Sequence, residues 1–395
     1  MTSLIKSRIQ SIDLLRGVVI IIMAIDHVRD YFHVGSFLFD PTDITQTNAP
    51  LFFTRWITHF CAPVFVFLSG TSAFLASQKK SVSEQSSFLI KRGLWLVLAE
   101  LSIVTLAWTF NPLYNLFILQ VIWAIGWSMV ILGLLVRTSF KLIIFIGAVI
   151  VFGHNILDYM SLPATGVSSV LWQVFLTNNG INFIPINNDH IIVLIYAILP
   201  WTGVMLLGYG FGYFYSHGMT NIQRKKYLLI TGIAVTALFI VLRLINSYGD
   251  PHPWSTQKDA TFTFLSFLNT TKYPCSLLYL SMTIGPAILL LIPLEKMGNK
   301  FSSILLIYGR VPLLYYVLHF FLIHTICVIL FFATGHGANE IVDQRTPFLF
   351  RPYTFGFDLW INYLIWIFVV VVLYFPCKRF QKYKGAHHQW WLSYV

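Results

Sequence analysis

Charged residues are scarce in this sequence. Only 10% of its 395 residues are Asp, Glu, Lys or Arg, whereas 57% are hydrophobic, and its mean hydropathy is +0.72. A soluble domain needs more polar surface than this composition supplies. The chain is therefore predicted to be a polytopic membrane protein whose main partner is the lipid bilayer.

Cysteine is also rare, and the spacings typical of metal or disulfide sites are missing. The four cysteines are isolated, with no Cys-x-x-Cys or Cys/His ligand pattern. No His-Glu-x-x-His motif and no pair of histidines four residues apart occurs. Neither a disulfide framework nor a zinc site is indicated, so no metal is expected.

The net charge of +11 by itself resembles that of a nucleic-acid-binding protein. Its distribution argues against that class, because the basic residues cluster between apolar runs while the alternate loops are acidic. The basic clusters are Lys6/Arg8, Lys79/Lys80, Lys91/Arg92, Arg137/Lys141, Arg224–Lys226, Lys296/Lys300 and Lys378–Lys384. This asymmetry is typical of cytoplasmic loops, and no nucleic-acid partner is expected.

Apolar runs of about twenty residues predict about ten membrane-spanning helices. We place them at 13–34, 53–77, 90–110, 113–136, 141–158, 190–215, 227–247, 274–294, 303–331 and 357–377. The predicted fold class is an all-α polytopic transmembrane helix bundle in a single domain, 1–395, with both termini cytoplasmic. The outer loops are the longer ones, 35–52, 159–189, 248–273 and 332–356. Ordered loops of this length can roof a pocket open to the outside, and the alternative that they are inert linkers stays open.

The first predicted span carries an unusual number of ionisable residues in its outer half. Ionisable groups inside a bilayer are costly, and they usually face a cavity and mark a functional path. Arg16 and His27 are eleven positions apart, so they point the same way, about 16 Å apart along a helix. This suits a long ligand with its anionic end at Arg16 and its reactive end at His27. A structural role, with Arg16 as an interfacial anchor and His27 as an interhelical hydrogen-bonding group, stays open.

Two further features lie in other spans. Gly309-Arg310-Val311-Pro312 predicts a break or kink in the ninth span. Seven histidines fall in the outer half of the predicted spans, and their common depth suggests a shared polar chamber; they are His27, His33, His59, His154, His190, His319 and His324.

Four sequence blocks carry a resemblance. The spacing of Arg16 and His27 resembles the Arg-x10-His signature of integral-membrane acyltransferases. SIDLLRGVVIIIMAIDH, APVFVFLSGTSAFL, ILPWTGVMLLGYGFG and YGRVPLLYYVLHFFLIH are together similar to the heparan-alpha-glucosaminide N-acetyltransferase-like family, in particular its bacterial members. The resemblance extends from residue 10 to about residue 325.

This resemblance implies acyl transfer across a membrane, from cytosolic acetyl-CoA to a sugar amine or hydroxyl on the outer face. It also implies an essential intramembrane histidine, for which His27 is the best match. The human enzyme of the family carries asparagine where His27 stands, and its reactive histidine lies nearer His33, so His33 is the alternative. The chain lacks the large luminal N-terminal region of the lysosomal enzyme, which favours a bacterial cytoplasmic membrane.

The expected site follows from this resemblance and from depth in the membrane. The catalytic candidates are His27, His33 and Asp30, and the candidates for holding acetyl-CoA are Arg16 and Arg310. The candidates on the acceptor side are Asp26, Arg29, His59 and His319. The rival hypotheses are a proton-coupled transporter of a small polar solute and a non-catalytic membrane scaffold. The sequence leaves open whether the chain forms a homodimer.

Overall fold

The computed structural model describes residues 9–161, 163, 165–176 and 180–394. In chain order the α-helices are α1 (Gln10–Phe32), α2 (Ala49–Thr58), α3 (Cys61–Ser77), α4 (Val82–Ala99), α5 (Thr105–Thr109), α6 (Val121–Leu135), α7 (Phe140–Gly153), α8 (Gly166–Phe175), α9 (Ile198–Phe211), α10 (Asn221–Ile245), α11 (Ala260–Leu268), α12 (Leu277–Leu294), α13 (Lys300–Arg310), α14 (Pro312–Ala333) and α15 (Leu359–Ala386). The strands are β1 (Leu116–Leu119), β2 (Asn182–Pro185) and β3 (Ile191–Leu194).

Helix α1 is the element around which the other helices pack. It contacts α2, α3, α12, α13, α14 and α15, and most of its residues are buried. Two of the longer helices begin at capping boxes, in which a side-chain oxygen and a residue three positions later satisfy free backbone amides. These pairs are Ser81 with Glu84 in α4 and Thr220 with Gln223 in α10.

Six segments among the described residues are long and apolar enough to cross a membrane, judged by length and composition. They are Ala49–Ser77, Phe140–Tyr159, α10, α12, α14 and α15. Each corresponds to one of the ten predicted spans. The other four spans, and the side on which the termini lie, stay predictions.

The described residues are mostly helical, as predicted, and a small sheet departs from the all-α prediction. β1 pairs in parallel with β3, and β2 pairs with the other edge of β3 in antiparallel fashion. Spans 113–136 and 190–215 were therefore predicted to begin too early, since their helices start at Val121 and Ile198. Short apolar runs such as LFIL and IIVL do not distinguish a strand from a buried helix by periodicity, which explains the error.

The predicted break in the ninth span is confirmed. Helix α13 ends at Arg310, and α14 begins at Pro312, which occupies a first-turn position where its missing N–H costs nothing. Just before the break, α13 crosses α1 backbone to backbone. A Cβ atom at Gly309 would lie 1.8 Å from the carbonyl oxygen of Asp13, and one at Gly17 would lie 2.2 Å from that of Leu305.

Candidate active site

A cavity of about 1490 Å³ lies at the C-terminal end of α1. Its walls come from α1, the α2–α3 junction, α5, β1 and β3. Most of the remaining lining comes from segments 36–43, 180–189, 269–273 and 342–349, together with His252. Each of the four loops that were predicted to be outer loops thus contributes to one cavity.

His27 and Asp30 lie next to each other in this lining. The Nδ1 atom of His27 is 3.8 Å from the Oδ2 atom of Asp30, and it has no hydrogen-bond partner among the described residues. Aromatic rings enclose the imidazole: its ring centre is 5.0 Å from that of Trp108, edge to face, and 4.5 Å from that of Phe320. An imidazole that aromatic rings enclose and that lies beside a carboxylate is well placed to accept a proton.

A chain of ion pairs holds Asp30 in place. Asp26 is buried and pairs with Arg29 at 3.0 Å and with Arg55 of α2. Arg29 also donates a hydrogen bond of 2.7 Å to Asp30. Because Arg29 links the two carboxylates, the orientation of Asp30 toward His27 depends on the whole chain. Buried charges are tolerated only when they are paired in this way.

His319 lies behind His27 and does not line the cavity. It is fully buried, and its ring centre is 5.2 Å from that of His27. Its Nδ1 atom is in hydrogen-bonding contact with the carbonyl oxygens of Tyr315 and Tyr316. A carbonyl oxygen only accepts, so Nδ1 carries the proton and, in the neutral ring, Nε2 keeps its lone pair. The structure therefore brings His319 to His27 but not to the cavity surface.

The other two histidines assigned to the site differ sharply. His59 lines the cavity, is only 3% exposed, and its Nδ1 atom has no hydrogen-bond partner in the described part of the chain. His33 follows the last residue of α1, Phe32, and does not belong to the lining. Its Nδ1 atom accepts a hydrogen bond of 3.0 Å from the Gly35 amide, and its carbonyl accepts one from Arg351.

The two predicted donor-binding arginines lie at the opposite end of α1. Arg16 donates to Asp13, to the carbonyl oxygen of Gly309 and to the Ser72 hydroxyl, at 2.9, 3.0 and 2.9 Å. Arg16 and Asp13 thus form an ion pair within the first turns of α1. Arg310 approaches the same Asp13 carboxylate at 3.8 Å. Neither arginine lines the cavity, so the two ends of α1 carry separate polar clusters.

A comparison with models of protein families identifies the family to which the chain belongs. The model for the catalytic region of heparan-alpha-glucosaminide N-acetyltransferase matches residues 8–242, which is more than half of the chain. The chain belongs to this family. The search of curated proteins found no significant match. Membership in the family and the six apolar helices together indicate an integral-membrane acetyltransferase.

The family match covers only part of the site. It includes His27, Asp30, Arg55 and Trp108, and it ends within α10. His319 and the two cavity segments near residues 270 and 345 lie beyond it. The site is thus built from the region that matches the family and from the C-terminal part of the chain.

The expected chamber of seven histidines is wrong for most of them. Of the seven, only His27 and His59 line the cavity. Three others hold local structure: His154 bonds the carbonyl oxygen of Cys275, His324 that of Leu349, and His190 the Asn187 side chain. Side chains at one depth of different helices point in different directions, which the sequence does not reveal.

Several cavity residues were not singled out as site residues from the sequence. Trp108 and Lys272 lie in segments without a motif, so no signal was available for them. Arg55 stands four residues before His59, and this spacing on one helix face was the available signal. Asp40 also lines the cavity: partial desolvation opposes its ionisation, but Arg55 and two hydrogen bonds from Thr42 hold its pKa below the usual range.

No group of three or more His, Cys, Asp or Glu side chains is arranged to hold a metal ion within the described ranges. Among the side chains that line the cavity, His27 and Asp30 form the pair best placed to move a proton, because the imidazole and the carboxylate face each other across 3.8 Å.

Proposed function

We propose that this protein transfers an acetyl-type group from cytosolic acetyl-CoA to a sugar amine or hydroxyl on the outer face of a bacterial cytoplasmic membrane. The observation that supports this is the position of His27. In a member of an acetyltransferase family, it lies in a cavity beneath four loops, with Asp30 3.8 Å away and Nδ1 without a hydrogen bond among the described residues.

In the proposed reaction, the His27 imidazole takes a proton from the amine or hydroxyl of the acceptor. The freed lone pair attacks the thioester carbonyl carbon, the C–S bond breaks, and the thiolate of coenzyme A leaves with the proton from His27. Asp30 stabilises the imidazolium that forms in between. In the alternative course, His27 itself takes the acetyl group and passes it on. The two courses differ in whether acetyl-histidine accumulates when no acceptor is present.

The arrangement along α1 supports a donor that enters from the inner side. Arg16 and Arg310 stand near the first turns of the helix, where positive charge suits the phosphates of coenzyme A. His27 lies eleven residues further on, about 16 Å along the axis. The proposed topology, with ten spans and cytoplasmic termini, puts the arginine cluster inside and the cavity outside.

The proposal is tested with the purified protein in liposomes, by following transfer of a labelled acetyl group from acetyl-CoA to amino sugars and neutral sugars. His27→Ala is expected to lower kcat by about 10²–10⁴-fold, the usual contribution of a general base. His33→Ala is the matched control: it removes the same side chain six residues away and is expected to retain most of the activity. Thermal unfolding of both variants separates chemistry from misfolding.

Three results would contradict the proposal. Loss of activity in His33→Ala together with an active His27→Ala would reverse the assignment of the histidine. Movement of a polar solute across the liposome membrane without consumption of thioester would support the transporter instead. A folded wild-type protein that neither transfers acetyl groups nor transports solute would leave the non-catalytic membrane scaffold as the remaining hypothesis.

A further inference from the structure

The cavity is acidic although the chain is strongly basic. Among its lining residues, six aspartates face three arginines and one lysine, which leaves two negative charges with histidine neutral. The whole chain, by contrast, carries a net charge of +11. The net charge of the cavity lining is therefore opposite in sign to the net charge of the whole chain.

The excess acid lies on the loop side of the cavity. Asp26, Asp30 and Asp343 are paired with arginines, as the ion pairs at the site show. The remaining three aspartates, Asp40, Asp43 and Asp189, make no ion pair within 4 Å in the described part of the chain. Asp40 and Asp43 accept hydrogen bonds only from their own loop, from Thr42, Thr45 and Gln46.

The helical side of the cavity, formed by α1 and the α2–α3 junction and called the floor here, presents polar atoms that make no hydrogen bond among the described residues. The Nδ1 atoms of His27 and His59 are buried and have no partner among the described residues. Buried polar atoms of this kind are costly unless a ligand atom completes them, and a sugar hydroxyl or amine can both donate and accept. These atoms point to a polar ligand, and the aspartates restrict its charge.

We propose that the part of the acceptor that enters this cavity carries no sulfate or carboxylate, so that the substrate is an uncharged or cationic sugar. This inference rests on the proposed acetyl transfer. Clefts lined by one sign of charge concentrate ligands of the opposite sign and repel those of the same sign. The same repulsion keeps the phosphates of coenzyme A out of the cavity and at the arginine end of α1.

The test compares acceptors that differ in one anionic group: glucosamine with glucosamine 6-sulfate, and glucose with glucose 6-sulfate. Acetyl transfer is measured as kcat/KM for the full chain in liposomes. We expect the unsulfated sugar of the accepted pair to be preferred by about tenfold or more at low salt, and less at high salt.

Variants then assign the preference to the loop carboxylates. Asp40→Asn with Asp43→Asn keeps a side-chain oxygen for the loop hydrogen bonds but removes two charges, and it should narrow the preference severalfold. Asp259→Asn is the matched control, because Asp259 does not line the cavity and caps α11, a role that Asn also fills.

The outcomes separate this inference from the function on which it rests. Absence of transfer to every sugar would refute the acetyltransferase itself. Equal or better use of the sulfated sugars would overturn the inference and leave the acetyltransferase intact. The inference would also be overturned if the double variant Asp40→Asn with Asp43→Asn kept the full preference for unsulfated sugars. The same conclusion would follow if Asp259→Asn reduced this preference as much as the double variant does.

Discussion

The crossing of α1 and α13 makes Gly309 a sensitive position. A Cβ atom there would lie 1.8 Å from the carbonyl oxygen of Asp13 and 2.9 Å from the amide nitrogen of Gly17. Real Cβ atoms keep at least 3.0 Å from such neighbours, so Gly309→Ala would force the two helices apart by more than 1 Å. The obstacle is backbone, which no side-chain rotation relieves. The same displacement would stretch the hydrogen bond from Arg16 to the Gly309 carbonyl.

The expected cost follows from two opposing effects. Overpacking costs about 1–3 kcal/mol, and a backbone obstacle belongs at the upper end of that range. Alanine regains up to about 1 kcal/mol of helix propensity relative to glycine. The net loss in the free energy of unfolding is therefore about 2 kcal/mol. With an unfolding entropy of about 2.1 cal/mol/K per residue over 395 residues, this corresponds to a decrease in Tm of about 2–3 °C.

The assay is thermal unfolding of the protein in detergent, followed by intrinsic tryptophan fluorescence. Gly385→Ala is the matched control, since Gly385 is also helical, in α15, and a Cβ atom there would meet nothing within 4 Å. It should leave Tm unchanged or raise it slightly. If Gly309→Ala were as stable as Gly385→Ala, the close crossing of α1 and α13 would be refuted.

Two further predictions concern charged residues. Arg55→Ala should lower the free energy of unfolding by about 3–5 kcal/mol, because it leaves buried Asp26 with Arg29 alone; Arg55→Lys should recover part of the loss in the same unfolding assay. Arg345 and backbone hydrogen bonds from Tyr353 and Arg345 hold the pKa of Asp343 below its usual value of 3.8. Its stabilising effect should therefore be complete above that value and be lost as the pH falls below it. The Tm should therefore fall as the pH is lowered below that value, and Asp343→Asn should make this fall smaller. An Asp343→Asn variant whose Tm depends on acidic pH in the same way as the wild type would contradict a stabilising role of the Asp343 carboxylate.

The first span shows how far sequence reasoning reaches. The cost of charge in an apolar helix singled out Asp26, His27, Arg29, Asp30 and His33, and the first four line the cavity. The break before Pro312 was equally readable, since proline cannot continue a helix without a missing hydrogen bond. These conclusions depend on local chemistry, which the sequence states directly.

The sequence did not reveal which side chains contact each other across different helices. His33 and His27 are both histidines in one apolar segment, yet only His27 lines the cavity, because α1 ends at Phe32, just before His33. Trp108 packs edge to face on His27 from a helix some eighty positions away. Such contacts depend on the order and rotation of helices in the bundle, which hydropathy does not encode.

The division of the cavity between a helical floor and loop segments has a consequence for how such proteins diversify. The floor, with His27 on α1, is constrained by dense packing, whereas loops tolerate substitution and insertion. Two of the loop segments also lie beyond residue 242, outside the region by which the family is recognised. Homologues with similar sequences over that region can therefore carry different cavity loops, and on the proposed function they would differ in acceptor specificity. On the proposed function, exchanging loops between them offers a way to engineer new acceptors without changing His27.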